Sequence, residues 1–150
     1  MNDIEKTYFN LEDTYLDITK NYLKVDESNV DTALFQHTGV YSFFGAVLAY
    51  AKRELDRASN NKDREEAVVR EARRSELVAS GKKATDRALD AYVKTVSSVQ
   101  EQENRLEVCT HRYNLAKNIV NSLDHQKDML VQISANKRAE SKLISDNFGS

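Results

Sequence analysis

"HQKDMLVQISANKRAES", residues 125–141, has neither Pro nor Gly to break it. How far its pattern extends in each direction decides the fold. Reading backward, Leu106, Cys109, Tyr113, Ala116, Val120, Leu123 and Leu130 keep helical three/four spacing, with Lys127 as one interruption. Ile119, Met129 and Ile133 widen the same face. A seam of this kind is what a helix presents to another helix. Ser98 followed by Glu101 has the form of a capping box, in which the hydroxyl and the carboxylate each take a free N–H. The spacing therefore predicts one helix from about Ser98 to about Leu143. At 1.5 Å per residue this is roughly 70 Å, against a usual globular helix of about 11–12 residues.

So long a stripe has to be covered. The reading assigns the excess to a second copy of the chain, through Leu106, Tyr113, Val120, Leu123, Leu130 and Ile133. The predicted class is all-α: several amphipathic helices with a long C-terminal helix, assembling through coiled-coil-like helix–helix contacts. Composition agrees with long solvated helices, being 40% hydrophobic and 31% charged, with four Gly, no Pro and no Trp.

The rest of the 150 residues reads as a single helical domain. Residues 3–24 carry Ile4, Tyr8, Leu11, Tyr15, Ile18 and Tyr22 at alternating four and three spacing, an acidic N-terminal helix. "VDESNVD", 25–31, is a polar break. Thr38 is placed to cap the helix of "GVYSFFGAVLAYAKREL", opening a middle region over 38–79. Val40, Phe43, Phe44, Val47, Leu48, Ala51 and Leu55 form its apolar face. "SNNKD", 59–63, reads as a pause. Gly81 ends the region, as a residue that readily turns left-handed. Thr85 then starts a short helix with Leu89, Tyr92, Val93 and Val96, which leads into the final helix of the 85–143 region.

Charge is uneven. Residues 1–31 hold three Lys against eight Asp/Glu, whereas residues 52–94 hold twelve Lys/Arg against nine Asp/Glu. The basic run is "REEAVVREARRSELVASGKKATDR", 64–87. Arg70, Arg73 and Arg74 share a helical face, Lys82 and Lys83 follow the Gly81 turn, and Arg87 opens the next helix. Two readings fit. One is a phosphate-tracking surface of guanidinium forks and ammonium point charges. The other is a solvated face on which the arginines pair with Glu66, Glu71 and Glu76. Tyr41, Phe43, Phe44 and Tyr50 have the stacking chemistry of a base platform. Their spacing with Val47 and Leu48 fits core packing better.

Catalytic patterns are absent from the sequence. His37, His111 and His125 are the only histidines, and the last two lie about 21 Å apart on one helix. No HExxH, CxxC, Walker A, GxGxxG or GxSxG occurs. The reading is a non-enzymatic protein with no metal or cofactor. The lone Cys109 cannot form an internal disulfide, and the acidic start "MNDIEKTYF" is unlike a signal peptide. No apolar run reaches 18 residues. A cytoplasmic protein without a membrane span is expected, in a host cell if phage-encoded.

"KATDRALDAYVKTVSSVQ" (83–100) and "YNLAKNIVNSLDHQKDMLVQISANKRAE" (113–140) resemble phage proteins of the UvsY recombination-mediator kind. "AVVREARRSELVASG" (67–81) is similar to that family's basic helix before a Gly turn. The likeness covers about residues 65–140. It implies a small helical protein that assembles into rings, binds single-stranded DNA and helps a RecA-like recombinase load where a single-strand-binding protein sits. It further implies that the C-terminal helix is the assembly element and that Arg70 and Arg73 lie nearest the DNA contacts. The other function that fits the pattern is a helical structural or scaffold protein with no nucleic-acid role.

Overall fold

A computed structural model describes residues 1–25 and 27–149, and all regular structure in them is helical. The order is α1 (Asp3–Phe9), α2 (Leu11–Asp17), a π-helical turn (Ile18–Tyr22), α3 (Val30–Ala79), α4 (Asp86–Val93) and α5 (Ser97–Phe148). The chain divides into two compact units, one of residues 1–50 with 114–150 and one of residues 51–113.

In the first unit, α1 begins with a reciprocal cap. Asn2 Oδ1 accepts from the Glu5 amide at 2.9 Å, and the Asn2 amide donates to Glu5 Oε2 at 3.0 Å. The acidic helix expected over 3–24 is interrupted at Asn10, whose side-chain amide donates to the Lys6 carbonyl at 3.0 Å. An Asx side chain that bonds its own backbone competes with helix continuation. The apolar seam survives the interruption, since Tyr8, Leu11 and Ile18 are buried. The π-turn ends with an unused carbonyl on Tyr22, which accepts from Gln126 Nε2 of α5 at 2.9 Å. Asp26, within the expected break of 25–31, lies outside the described residues.

Helix α3 corrects two expectations. It starts at Val30 rather than after Thr38, and it runs without a pause through Ser59–Asp63. Its buried seam explains the early start; past Ala58 the same face continues only as half-buried side chains at Lys62, Glu65 and Val69. Val30, His37, Phe44 and Val47 in the first unit, and Ala51 and Ala58 in the second, recur on one face, while Thr38 and Gly39 are exposed. Burial of the seam outweighs the penalty of poor helix formers, up to about 1 kcal/mol each.

The first unit pairs α3 with α5 in antiparallel order. His37 Nε2 donates to the Leu123 carbonyl at 2.7 Å, and Lys137 meets Asp31 at 3.6 Å. Ala116, Ile119, Leu123 and Leu130 are buried here, and Gln126 rather than an apolar residue fills the seam position between the two leucines. Phe44 is buried and the Tyr41, Phe43 and Tyr50 rings are half-buried. Tyr50 meets Tyr8 edge-on at 5.1 Å and Tyr41 stacks on His37 at 5.8 Å, so these aromatics serve packing.

The second unit repeats the antiparallel order. Lys62 of α3 meets Glu103 of α5 at 3.5 Å, and Lys52 lies 6.0 Å from the Tyr113 ring centre. Helix α5 starts at Ser97, one residue earlier than expected, so Ser98 is inside the helix and not at its cap. Gln100 reaches back to the Lys94 carbonyl at 3.1 Å and closes the turn. The helix ends at Phe148, five residues beyond the expected Leu143.

Candidate nucleic-acid interface

The basic run folds into the end of α3, a turn and α4, all within the second unit. The turn is built by Gly81, which takes φ +71°. The Gly81 amide donates to Val78 at 3.0 Å and the Lys82 amide to Leu77 at 2.8 Å. This pair of bonds satisfies the last carbonyls of α3 and needs a residue without a Cβ penalty at the left-handed position. Thr85 caps α4, its hydroxyl accepting from the Ala88 amide at 3.3 Å. Leu89 and Val93 are the side chains by which α4 is buried.

The arginines are not alike. Arg70 is a fork between two α4 carboxylates, Asp86 at 2.9 Å and Asp90 at short range. The hydrogen bonds to Asp90 and then Asp86 raise its pKa further above the usual arginine value. Arg73 lies over the Tyr92 ring at 4.6 Å and bonds Glu76 at 3.1 Å. Arg74 reaches Glu71 at 3.4 Å and Asp86 at 3.9 Å. The sequence pairing with Glu71 and Glu76 is therefore present, but Arg70 pairs with α4 while Glu66 pairs with Lys62. Beside this network is a cleft of about 420 Å³ whose charged lining is Asp63, Glu66, Arg70, Asp90 and Lys94. Asp86 and Asp90 complete the arrangement and are not among the residues that the basic run singles out. Their four-residue spacing in "DRALD" puts both on one face of α4, which is the sequence signal that they act together.

Lys82, Lys83 and Arg87 differ from the arginines of α3. All three are exposed, and no ion pair joins them to the described residues. All three follow Gly81 within six residues of sequence, with the exposed Asp86 beside Arg87.

Of the residues assigned to assembly, two are fully covered within one chain and four are partly covered. Leu123 and Leu130 are fully buried, and Leu106, Tyr113, Val120 and Ile133 are half-buried. On α5 the exposed apolar side chains are Val108, Met129, Val131, Leu143, Ile144 and Phe148.

Among the described residues, no cluster of three or more His, Cys, Asp or Glu is arranged to hold a metal ion. Nor, among them, is any helix long and apolar enough to cross a membrane. Comparison with family models, curated proteins and solved structures finds no match.

Proposed function

We propose that the chain is a non-enzymatic helical protein that binds the phosphate backbone of single-stranded DNA and acts as a recombination mediator, helping a RecA-like recombinase load beside a single-strand-binding protein. The observation that carries the DNA contact is the trio Lys82, Lys83 and Arg87, exposed after the Gly81 turn and joined by no ion pair to the described residues. Exposed cations without internal partners release no carboxylate when they meet phosphate, so their full charge is available for counterion release. The arginines Arg70, Arg73 and Arg74 contribute less as they stand, because each already faces an acid. The step from DNA binding to recombinase loading rests on the resemblance of residues 65–140.

Self-association belongs to the same proposal. The seam of Leu123 and Leu130 is closed within the chain, so the contact between copies falls to the exposed residues Leu143, Ile144 and Phe148 near the end of α5. Light scattering on the parent and on a Leu143→Ser, Ile144→Ser, Phe148→Ser variant tests this. A parent oligomer that dissociates supports the placement, and a monomeric parent removes assembly from the proposal.

The DNA contact is tested by fluorescence anisotropy with a labelled oligothymidylate. Changing Lys82, Lys83 and Arg87 to Ala should abolish most of the binding while circular dichroism stays unchanged. A parent that does not bind the strand at all would leave the scaffold reading, which is favoured by the antiparallel pairing of α3 with α5 in each unit.

A further inference from the structure

The four-residue spacing of Asp86 and Asp90 places two carboxylates where a strand's phosphates would have to sit to reach Arg70. Arg74 shares one of them, with Asp86 at 3.9 Å. We infer that α4 masks a second phosphate site, Arg70 with Arg74, and that phosphates of a single strand held at the neighbouring turn displace its carboxylates; this rests on the proposed DNA contact at Lys82, Lys83 and Arg87.

Three features make the mask exchangeable. The Asp86 and Asp90 side chains are 84% and 60% exposed, so water can receive each carboxylate as it leaves its guanidinium. Exposed ion pairs are weak, and the two non-bridging oxygens of one phosphate can take both prongs of a guanidinium, which in Arg70 go to two separate carboxylates. Arg70 itself is 31% exposed, so a ligand reaches it without moving the buried Leu89 and Val93 that hold α4 in place, and the approach is from the solvent side, since Asp63 and Glu66 line the cleft beside it. The connection between the two sites is short. Thr85 and Asp86 immediately precede Arg87, so a strand lying across the turn passes the masked arginines at the next one or two phosphates. Arg73 stays apart, held over Tyr92 and against Glu76.

The consequence is a site in two stages. The turn cations bind first at low occupancy. The masked arginines engage only when a continuous strand brings phosphate to them at high local concentration. Isolated phosphate has no such advantage and should not open the mask.

The test replaces both acids, Asp86→Asn with Asp90→Asn, and measures anisotropy of the labelled oligothymidylate across a salt series. Unmasking should tighten binding by up to about fivefold per relieved pair. It should also steepen the slope of log affinity against log salt by about 0.7 for each arginine that now meets a phosphate. Adding Arg70→Gln to the pair should remove most of the gain. A Glu101→Gln, Glu107→Gln variant makes the same change in net charge on exposed positions of α5 and should gain little. Asp90→Asn alone leaves the first turn of α4 intact and should give part of the effect, which separates unmasking from unravelling of the helix.

The outcomes divide cleanly. Parent binding with no gain in the double Asn variant, or an equal gain in the α5 control, overturns the mask and leaves the proposed function standing. A variant that binds where the parent does not overturns the two-stage order, because the parent's turn cations should bind first. Failure of every protein to bind the strand removes the proposed function and the mask with it.

Discussion

Leu123 is the residue on which the internal seam of α5 can be weighed against an interface between copies. Its side chain is fully buried in the first unit, and its own carbonyl accepts from His37. Leu123→Ala removes three carbons and leaves that backbone hydrogen bond in place, so the loss reports packing alone. At about 0.8 kcal/mol per buried carbon, transfer accounts for about 2.4 kcal/mol. The cavity left behind brings the total to about 3 kcal/mol or more, since fully buried Leu→Ala changes run from about 2.7 to 5. For a chain of this size each kcal/mol lowers Tm by about 2–4 °C, so the expected drop is about 6–12 °C. Thermal unfolding followed by circular dichroism at low and high protein concentration is the assay. If Leu123 packs within its own chain, the drop is the same at both concentrations. If it packs against another copy, raising the concentration restores much of Tm by mass action. A drop below about 2 °C, or one that disappears at high concentration, refutes the internal placement.

Other substitutions probe the elements that position the site. Thr85→Ala deletes the hydroxyl cap of α4 and should cost about 1 kcal/mol, read as faster amide exchange in α4 than in α5. Gly39→Ala should stabilise by about 0.5–1 kcal/mol, because Gly39 lies inside α3 and an added Cβ meets nothing within 4 Å; a lower Tm would contradict the continuous helix there. Tyr41 is pushed above the ordinary tyrosine pKa by its hydrogen bond and charge interaction with Asp124, with some desolvation. A raised folded pKa gives stability that is present below the unfolded value and lost as pH rises through the folded one. Burial raises Tyr22 as well, so phenolate absorbance should show one fewer late-ionising tyrosine in Tyr41→Phe than in the parent, and the variant's stability should change less than the parent's above the usual tyrosine pKa.

Much of this architecture is legible in the amino-acid order. The seam of α5, the Gly81 stop and the Thr85 cap each follow from a local rule and are where the sequence puts them, except that Met129, read onto the seam face, is exposed. The errors came where local chemistry and tertiary burial disagree. Thr38 and Ser59–Asp63 look like helix boundaries by propensity, yet the buried His37 and Phe44 carry one stripe past the first, and half-buried Lys62, Glu65 and Val69 continue the face of Ala58 past the second. Asn10 did the reverse, breaking a continuous apolar pattern with a single side-chain-to-backbone bond. The basic run shows the limit for sites. Sequence gives which residues are charged, and local spacing gives the Arg73–Glu76 and Arg74–Glu71 pairs. The Arg70 fork to Asp86 and Asp90 needs the chain to reverse at Gly81 before the partners meet, so it is a tertiary fact. The same holds for Leu123 and Leu130. Their periodicity shows that they face a helix, and only the fold shows that the helix is the chain's own α3.

The central claim is that the turn carrying Lys82, Lys83 and Arg87 meets the phosphates of a single strand. The most direct measurement is the salt dependence of oligothymidylate binding by the parent and by the folded triple Ala variant. Three phosphate contacts to a single strand contribute a slope of about −2 in log affinity against log salt, and the variant should lose about that much. An equal slope in both proteins, with circular dichroism showing both folded, would contradict the claim.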